Sequence, residues 1–121
     1  YGWRTHPITG EEKFHYGVDL ACAEGTNILS ILDEGIVSLK GYSDSMGNYV
    51  YVDYNYNGDK YQTIHMHMVS SAYVNRGDVV NKGSVLGGVG TTGASTGNHL
   101  HFGLKKNGVY VDPWLYINPS L

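Results

Sequence analysis

Alternation is the clearest signal along this chain. From Lys60 to Met68, Ile64, Met66 and Met68 fall on one side of a period of two, and Thr63, His65 and His67 on the other. That is the pattern of a half-buried strand, with the apolar set predicted to face the core. His99 to Leu104 repeats it: Leu100, Phe102 and Leu104 alternate with His99, His101 and Gly103. Val50 and Val52 alternate with Tyr49, Tyr51 and Asp53 to predict a strand over Asn48–Tyr54, and Asn57-Gly58 is the turn that returns it to Lys60. Thr26–Leu32 and Gly35–Lys40 read as two strands about an Asp33-Glu34-Gly35 turn. Short strands follow Gly77, Gly83 and Gly87, and Lys106-Asn107-Gly108 closes a last hairpin before a packed tail that starts at Asp112-Pro113-Trp114. Gly2, Pro7 and Gly10 mark Tyr1–Phe14 as an irregular opening segment. Val69–Asn75 is expected to include a short helical turn, and Gly90–Asn98 to form a loop feeding the His99 strand. The fold class expected is all-β.

Composition sharpens this picture and removes some functions. With 121 residues the chain is long enough for a single self-sufficient core over 1–121, and 17 glycines with 11 tyrosines suit short strands and tight turns. The net charge is −3 with 16% charged residues, so no basic surface argues for nucleic acid or for anionic membranes. No apolar run approaches the ~18–20 residues of a membrane helix. Cys22 is the lone cysteine and excludes an internal disulfide; beside Leu20, Ala21 and Ala23 it reads as a buried structural thiol. The chain opens on Tyr1 without a methionine and is expected to be a domain excised from a larger protein.

Five of the six histidines are patterned. His65 and His67 form one His-x-His pair and His99 and His101 another, each on a predicted strand, where residues i and i+2 share a face about 6.5–7 Å apart. His15 stands four residues before Asp19, a spacing that a straight strand would stretch to ~13 Å. Gly17 between them is a natural bend that would bring imidazole and carboxylate to one ion. A catalytic zinc needs three protein ligands, an open position, and groups that take a proton and steady an oxyanion. His15, Asp19 and one or both histidines of each pair supply that inventory. A serine hydrolase is less well supported because no Gly-x-Ser-x-Gly occurs, and a closed structural zinc site would want more cysteine than Cys22 offers. Arg76-Gly77-Asp78 spells an adhesion tripeptide but sits in a turn-rich stretch, where coincidence explains it.

At these residues the chain resembles the lysostaphin/LytM-type zinc endopeptidases that cut bacterial peptidoglycan. Gly2 to Gly10 is similar to that family's opening, His15-Tyr16-Gly17-Val18-Asp19 to its His-x-x-x-Asp motif, and Thr63 to Met68 to its central histidine segment. Ser95 to Phe102 resembles its Ser-Thr-Gly-x-His-Leu-His-Phe signature, and Asp112-Pro113 its close. The resemblance implies a central antiparallel sheet with a smaller sheet and long loops walling a groove. It implies one zinc held by His15, Asp19 and His101, with His67 and His99 as the catalytic pair, and hydrolysis of glycine- or alanine-rich wall peptides at the bacterial cell envelope or outside the cell. Wall-targeting or assembly domains would lie elsewhere in the larger protein, including a phage-tail or conjugation protein. His65 stands where relatives commonly have tyrosine and Gly103 where many have glutamate or a larger residue; with Asn98 they are expected along the groove. The competing expectation is a non-catalytic relative that binds wall or a partner hydrolase, which should have lost ligands that this chain keeps.

Overall fold

The computed structural model describes residues 1–5, 12–95 and 97–116. Their strands follow in order as β1 (Gly2–Thr5), β2 (Glu12–His15), β3 (Val18–Ala21), β4 (Asn27–Leu29), β5 (Gly35–Ser43), β6 (Gly47–Tyr56), β7 (Asp59–Met68), β8 (Val79–Val80), β9 (Val85–Gly88), β10 (His99–Lys106) and β11 (Val109–Val111). A single 3-10 turn, Pro113–Leu115, follows, capped by the Asp112 carboxylate accepting from the Trp114 N–H. The all-β expectation holds, with two small sheets rather than one beside the large sheet.

The large sheet has seven antiparallel strands, ordered β11-β10-β7-β6-β5-β8, with β3 paired to the first half of β10. β1 pairs with β2, and β4 with β9, as two-stranded sheets. Both Asn-Gly turns behave as their chemistry demands. Asn57 and Gly58 take φ of 51° and 84° between β6 and β7, and Asn107 and Gly108 take 50° and 83° between β10 and β11. Two consecutive positive φ values match the right-handed twist of the flanking strands, and Asn and Gly adopt them at least cost.

One face of the sheet builds the core. Val50 and Val52 of β6 and Leu100, Phe102 and Leu104 of β10 pack with Ile28 of β4 and Leu86 of β9 in one buried cluster. Each such side chain removed from water contributes about 1.5–3 kcal/mol. Cys22 packs partly buried against this cluster.

Two local expectations need correction. The opening segment contains the β1–β2 hairpin rather than irregular chain, with Trp3 opposite Phe14 and Gly2 opposite His15. Pro7 and Gly10, which suggested irregularity, fall among residues 6–11, which lie outside the described residues, as does Thr96 of the later histidine signature. Val69–Asn75 makes bends and no helical turn; its amides bond instead to the small sheet, Val69 N–H to Gly88 O and Tyr73 N–H to Leu86 O, both at 2.9 Å.

Candidate metal centre and its flanking histidines

β3 and β10 run antiparallel with Asp19 directly opposite His101. Paired residues of an antiparallel ladder project from the same face with Cβ atoms about 4.5–5.5 Å apart, so carboxylate and imidazole meet by register alone. His15 ends β2, and the chain bends at Gly17 to enter β3, as the His15–Asp19 spacing required. A Cβ on Gly17 would lie 2.5 Å from the Phe102 carbonyl oxygen and 2.8 Å from His101 Nε2, so only glycine lets the bend press this close to β10.

The result is a compact triangle of donors. His15 Nε2 lies 3.1 Å from His101 Nδ1, and each lies 3.3 Å from Asp19 Oδ1. Ligands placed tetrahedrally about zinc at ~2.0–2.1 Å are separated by roughly 3.3–3.4 Å, so three protein atoms already stand at about the spacing that one small cation imposes. Among the described residues this is the cluster of His, Cys, Asp or Glu able to hold a metal. The donor set of two imidazoles and one carboxylate suits zinc and leaves room for a fourth ligand.

Two further imidazoles flank the triangle. His99 Nε2 stands 3.6 Å from Asp19 Oδ1. Its Nδ1–H donates to the Gly97 carbonyl at 2.9 Å, with Ser95 Oγ 3.2 Å away. His67 lies across from it, with ring centroids 5.1 Å apart and 6.3 Å to His101. Its Nδ1–H donates to the Thr92 carbonyl at 2.8 Å. A carbonyl oxygen can only accept, so both rings carry their proton on Nδ1 and leave the Nε2 lone pair unprotonated when neutral. Burial holds the His67 pKa below the ordinary imidazole value, with the neighbouring His99 and His101 adding to the effect and the Thr92 bond and Asp19 opposing it. His67 is therefore a neutral base at pH 7. A shallow hollow of about 320 Å³ opens over His15 and Asp19, walled by Tyr1, Trp3 and Trp114.

His67 reaches this face only through a break in alternation. On β7, His65 is opposite Phe102 and Val50, whereas Met66 is opposite His101. The face that carries His65 is thus the core, and strict alternation would send His67 there too. Instead the β6–β7 register shifts between Asn48 and Val50, and His67 takes φ of 61°. A left-handed non-glycine residue costs about 1–3 kcal/mol and persists where its surroundings enforce it. That bulge swings His67 onto the His99 and His101 side.

The predicted groove residues separate accordingly. His65 is 1% exposed, packs edge-on against the Phe102 ring at 5.3 Å and bonds Thr63 Oγ1 at 3.1 Å, so it is a core residue and lines no groove. The grouping of His65 with His67 on one face, opposite Ile64 and Met66, is overturned by the bulge. Gly103 is buried, with space for a Cβ limited by the Tyr16 carbonyl at 3.3 Å, Ile64 at 3.5 Å and Tyr110 at 3.6 Å. It lets tyrosines settle on the sheet rather than forming an open wall. Asn98 is exposed beside His99. Sequence reasoning singled out neither Thr92 nor a role for Ser95; Thr92 accepts through its backbone, and a carbonyl has no signature in a sequence.

The family model for Peptidase family M23 matches residues 13–113. The chain is 36% identical over 110 residues to the peptidoglycan DD-endopeptidase ShyC of Vibrio cholerae, covering 91% of this chain and 24% of that protein. It is 37% identical over 113 residues to the DD-carboxypeptidase/endopeptidase Mpg of Neisseria meningitidis, covering 93% and 25%. It thus spans about a quarter of the length of these curated relatives. Among solved structures, a zinc-containing peptidase from Vibrio cholerae superposes with a TM-score of 0.78 at 32% identity, over 92% of this chain and 34% of that one. The catalytic domain of lysostaphin from Staphylococcus simulans superposes at 0.77 and 31% identity, over 96% and 88%. With the family model running from just before His15 to just past the Asp112 cap, and the same sheet recurring in lysostaphin, this chain belongs to peptidase family M23.

Proposed function

We propose that the chain is a zinc-dependent endopeptidase that hydrolyses peptide stems or cross-bridges of bacterial peptidoglycan, acting at the cell envelope or outside the cell. The observation that carries this reading is the His15, Asp19, His101 triangle set beside two imidazoles whose Nδ1–H groups are already engaged. Five Lewis-basic groups converge there, and Asp19 Oδ1 alone lies within 3.3–3.6 Å of three imidazole nitrogens. A divalent cation offsets that convergence. M23 membership and the DD-endopeptidase relatives support the substrate class.

His15, Asp19 and His101 hold the metal, which when bound supplies Lewis acidity toward a carbonyl and toward water. His67 and His99 each present Nε2 from opposite sides. One takes the proton of the attacking water; an oxygen–carbon bond forms at the amide, the carbon–nitrogen bond breaks, and the proton passes to the leaving amine. The ring that holds the proton also offers an N–H to the developing oxyanion. Tyr1, Trp3 and Trp114 bound the space over the ligands and shape what can approach.

Digestion of purified peptidoglycan tests this reading. The zinc-loaded chain should release new amino groups without new reducing sugar ends; chelation should stop the release and added zinc restore it. Undiminished release from metal-free protein, or reducing ends in place of amines, would contradict it.

A further inference from the structure

His67 must hold a left-handed backbone and a single tautomer at the same time, and one residue of the loop before β10 is placed to secure both. The Thr92 carbonyl accepts the His67 Nδ1–H at 2.8 Å. Its hydroxyl donates to the Met68 carbonyl at 2.6 Å and accepts the Asn48 N–H at 3.1 Å. Thr92 therefore bonds to His67, to the residue after it on β7, and to β6 where the register slips. The His67 N–H is held separately by the Met46 carbonyl at 2.8 Å. The loop lies so close that a Cβ on Gly47 would collide with the Thr92 carbonyl and hydroxyl, and one on Gly93 with the Gly47 backbone. Ala94 N–H to Ser45 O at 3.1 Å closes the same seam.

We propose that Thr92 is the positioning residue for His67: its carbonyl fixes the imidazole as the Nδ1–H tautomer, and its hydroxyl fixes that carbonyl against the bulge. The consequence for rate rests on His67 being a catalytic partner, as proposed above; the consequence for tautomer does not. In a free imidazole side chain the Nε2–H form is the commoner tautomer, so the proposal requires a specific departure from ordinary behaviour. A ring with its proton on Nε2 would turn a donor toward the water it has to deprotonate.

The experiment combines ¹⁵N NMR of the histidine rings, at a pH where they are neutral, with zinc content and peptidoglycan hydrolysis for the zinc-loaded wild type, Thr92→Ser and Thr92→Val. The wild type should show His67 protonated at Nδ1. Thr92→Ser keeps the hydroxyl and should match it in tautomer, with a rate within about threefold. Thr92→Val, nearly isosteric, should keep its zinc, shift His67 toward Nε2–H and lose at least tenfold in rate, within the range of general-base effects. A wild-type His67 protonated at Nε2 overturns the proposal whatever the variants do, as does a Thr92→Val protein equal to wild type in both tautomer and rate. If Thr92→Val shifts the tautomer while the rate stays unchanged, the positioning role stands and the catalytic assignment of His67 falls.

Discussion

The His65 imidazole lies between Thr63 and the Phe102 ring, and its Nδ1 is sealed from solvent with no hydrogen-bond partner among the described residues. Burial alone pushes its pKa down to about 3, because charging a ring in that environment forfeits its hydration. An unfolded imidazole titrates near ~6.5. Between pH 6.5 and about 3 the unfolded chain therefore binds a proton that the folded chain refuses. Stability is complete above 6.5 and drains at about 1.4 kcal/mol per pH unit as pH falls. Replacing the ring with leucine removes both the titration and the unpartnered nitrogen. Denaturant unfolding at pH 7 and pH 5 should thus show the wild type losing about 2 kcal/mol more than His65→Leu over that interval. Equal losses would place His65 outside the core. The sequence marked His65 and His67 as a pair, and nothing in their spacing separates a ring in the core from one beside His99 and His101. Their difference arises from one backbone angle, φ at His67.

At the scale of the strand, what could be read in advance was whatever local chemistry decides. The alternation of Leu100, Phe102 and Leu104 against His99 and His101 survives intact on β10, because that strand pairs without slippage to β7. The Asn57-Gly58 and Asn107-Gly108 turns also behave as expected, their geometry being a property of the dipeptides. β7 departs from its pattern at the bulge, which depends on Met46, Asn48 and Thr92, residues 19 to 25 positions away that no local window contains. The β1–β2 hairpin was hidden for a similar reason: Pro7 and Gly10 dominate the reading of a segment whose strands flank them. The bend at Gly17 was legible because glycine was the only way to give the His15–Asp19 spacing a purpose. Gly17→Ala should leave the sheet folded but push the His101 ring or the β3 ladder aside, since the new Cβ would stand 2.8 Å from His101 Nε2. Displacing a ligand's support typically costs ~10–100-fold in metal affinity. Competition with a chromophoric chelator measures that loss, and an unchanged affinity would show that the close approach is slack.

For the molecule as a whole, the proposed ligands His15, Asp19 and His101 sit on one face and the buried cluster on the other, so a bound ion and the core would contribute separately to stability. The cluster joins every strand from β3 to β10 without drawing on His15, Asp19 or His101. The metal-free chain should keep its sheet signal in far-ultraviolet circular dichroism and unfold cooperatively; zinc should raise the midpoint by mass action, by about 2.7 kcal/mol at a hundredfold excess over its dissociation constant. Loss of folded signal on chelation would make the ion structural instead. No helix among the described residues is long and apolar enough to cross a membrane. The fold and its family were legible because the motifs fall on separate strands that the sheet then gathers. The division of the five clustered histidine and carboxylate groups from the buried His65 was not, because it is settled by register.

Zinc content measured beside peptidoglycan hydrolysis in four purified variants separates metal ligands from catalytic partners and both from the buried His65. His101→Ala removes one corner of the donor triangle and should lose both metal and activity. His67→Ala and His99→Ala should retain near-stoichiometric zinc while falling about 10²–10⁴-fold in rate. His65→Leu should keep its zinc and hydrolyse at close to the wild-type rate. A zinc-free His99→Ala, a fully active His101→Ala, or a His65→Leu protein as inactive as His67→Ala would contradict the assignment of ligands and catalytic partners.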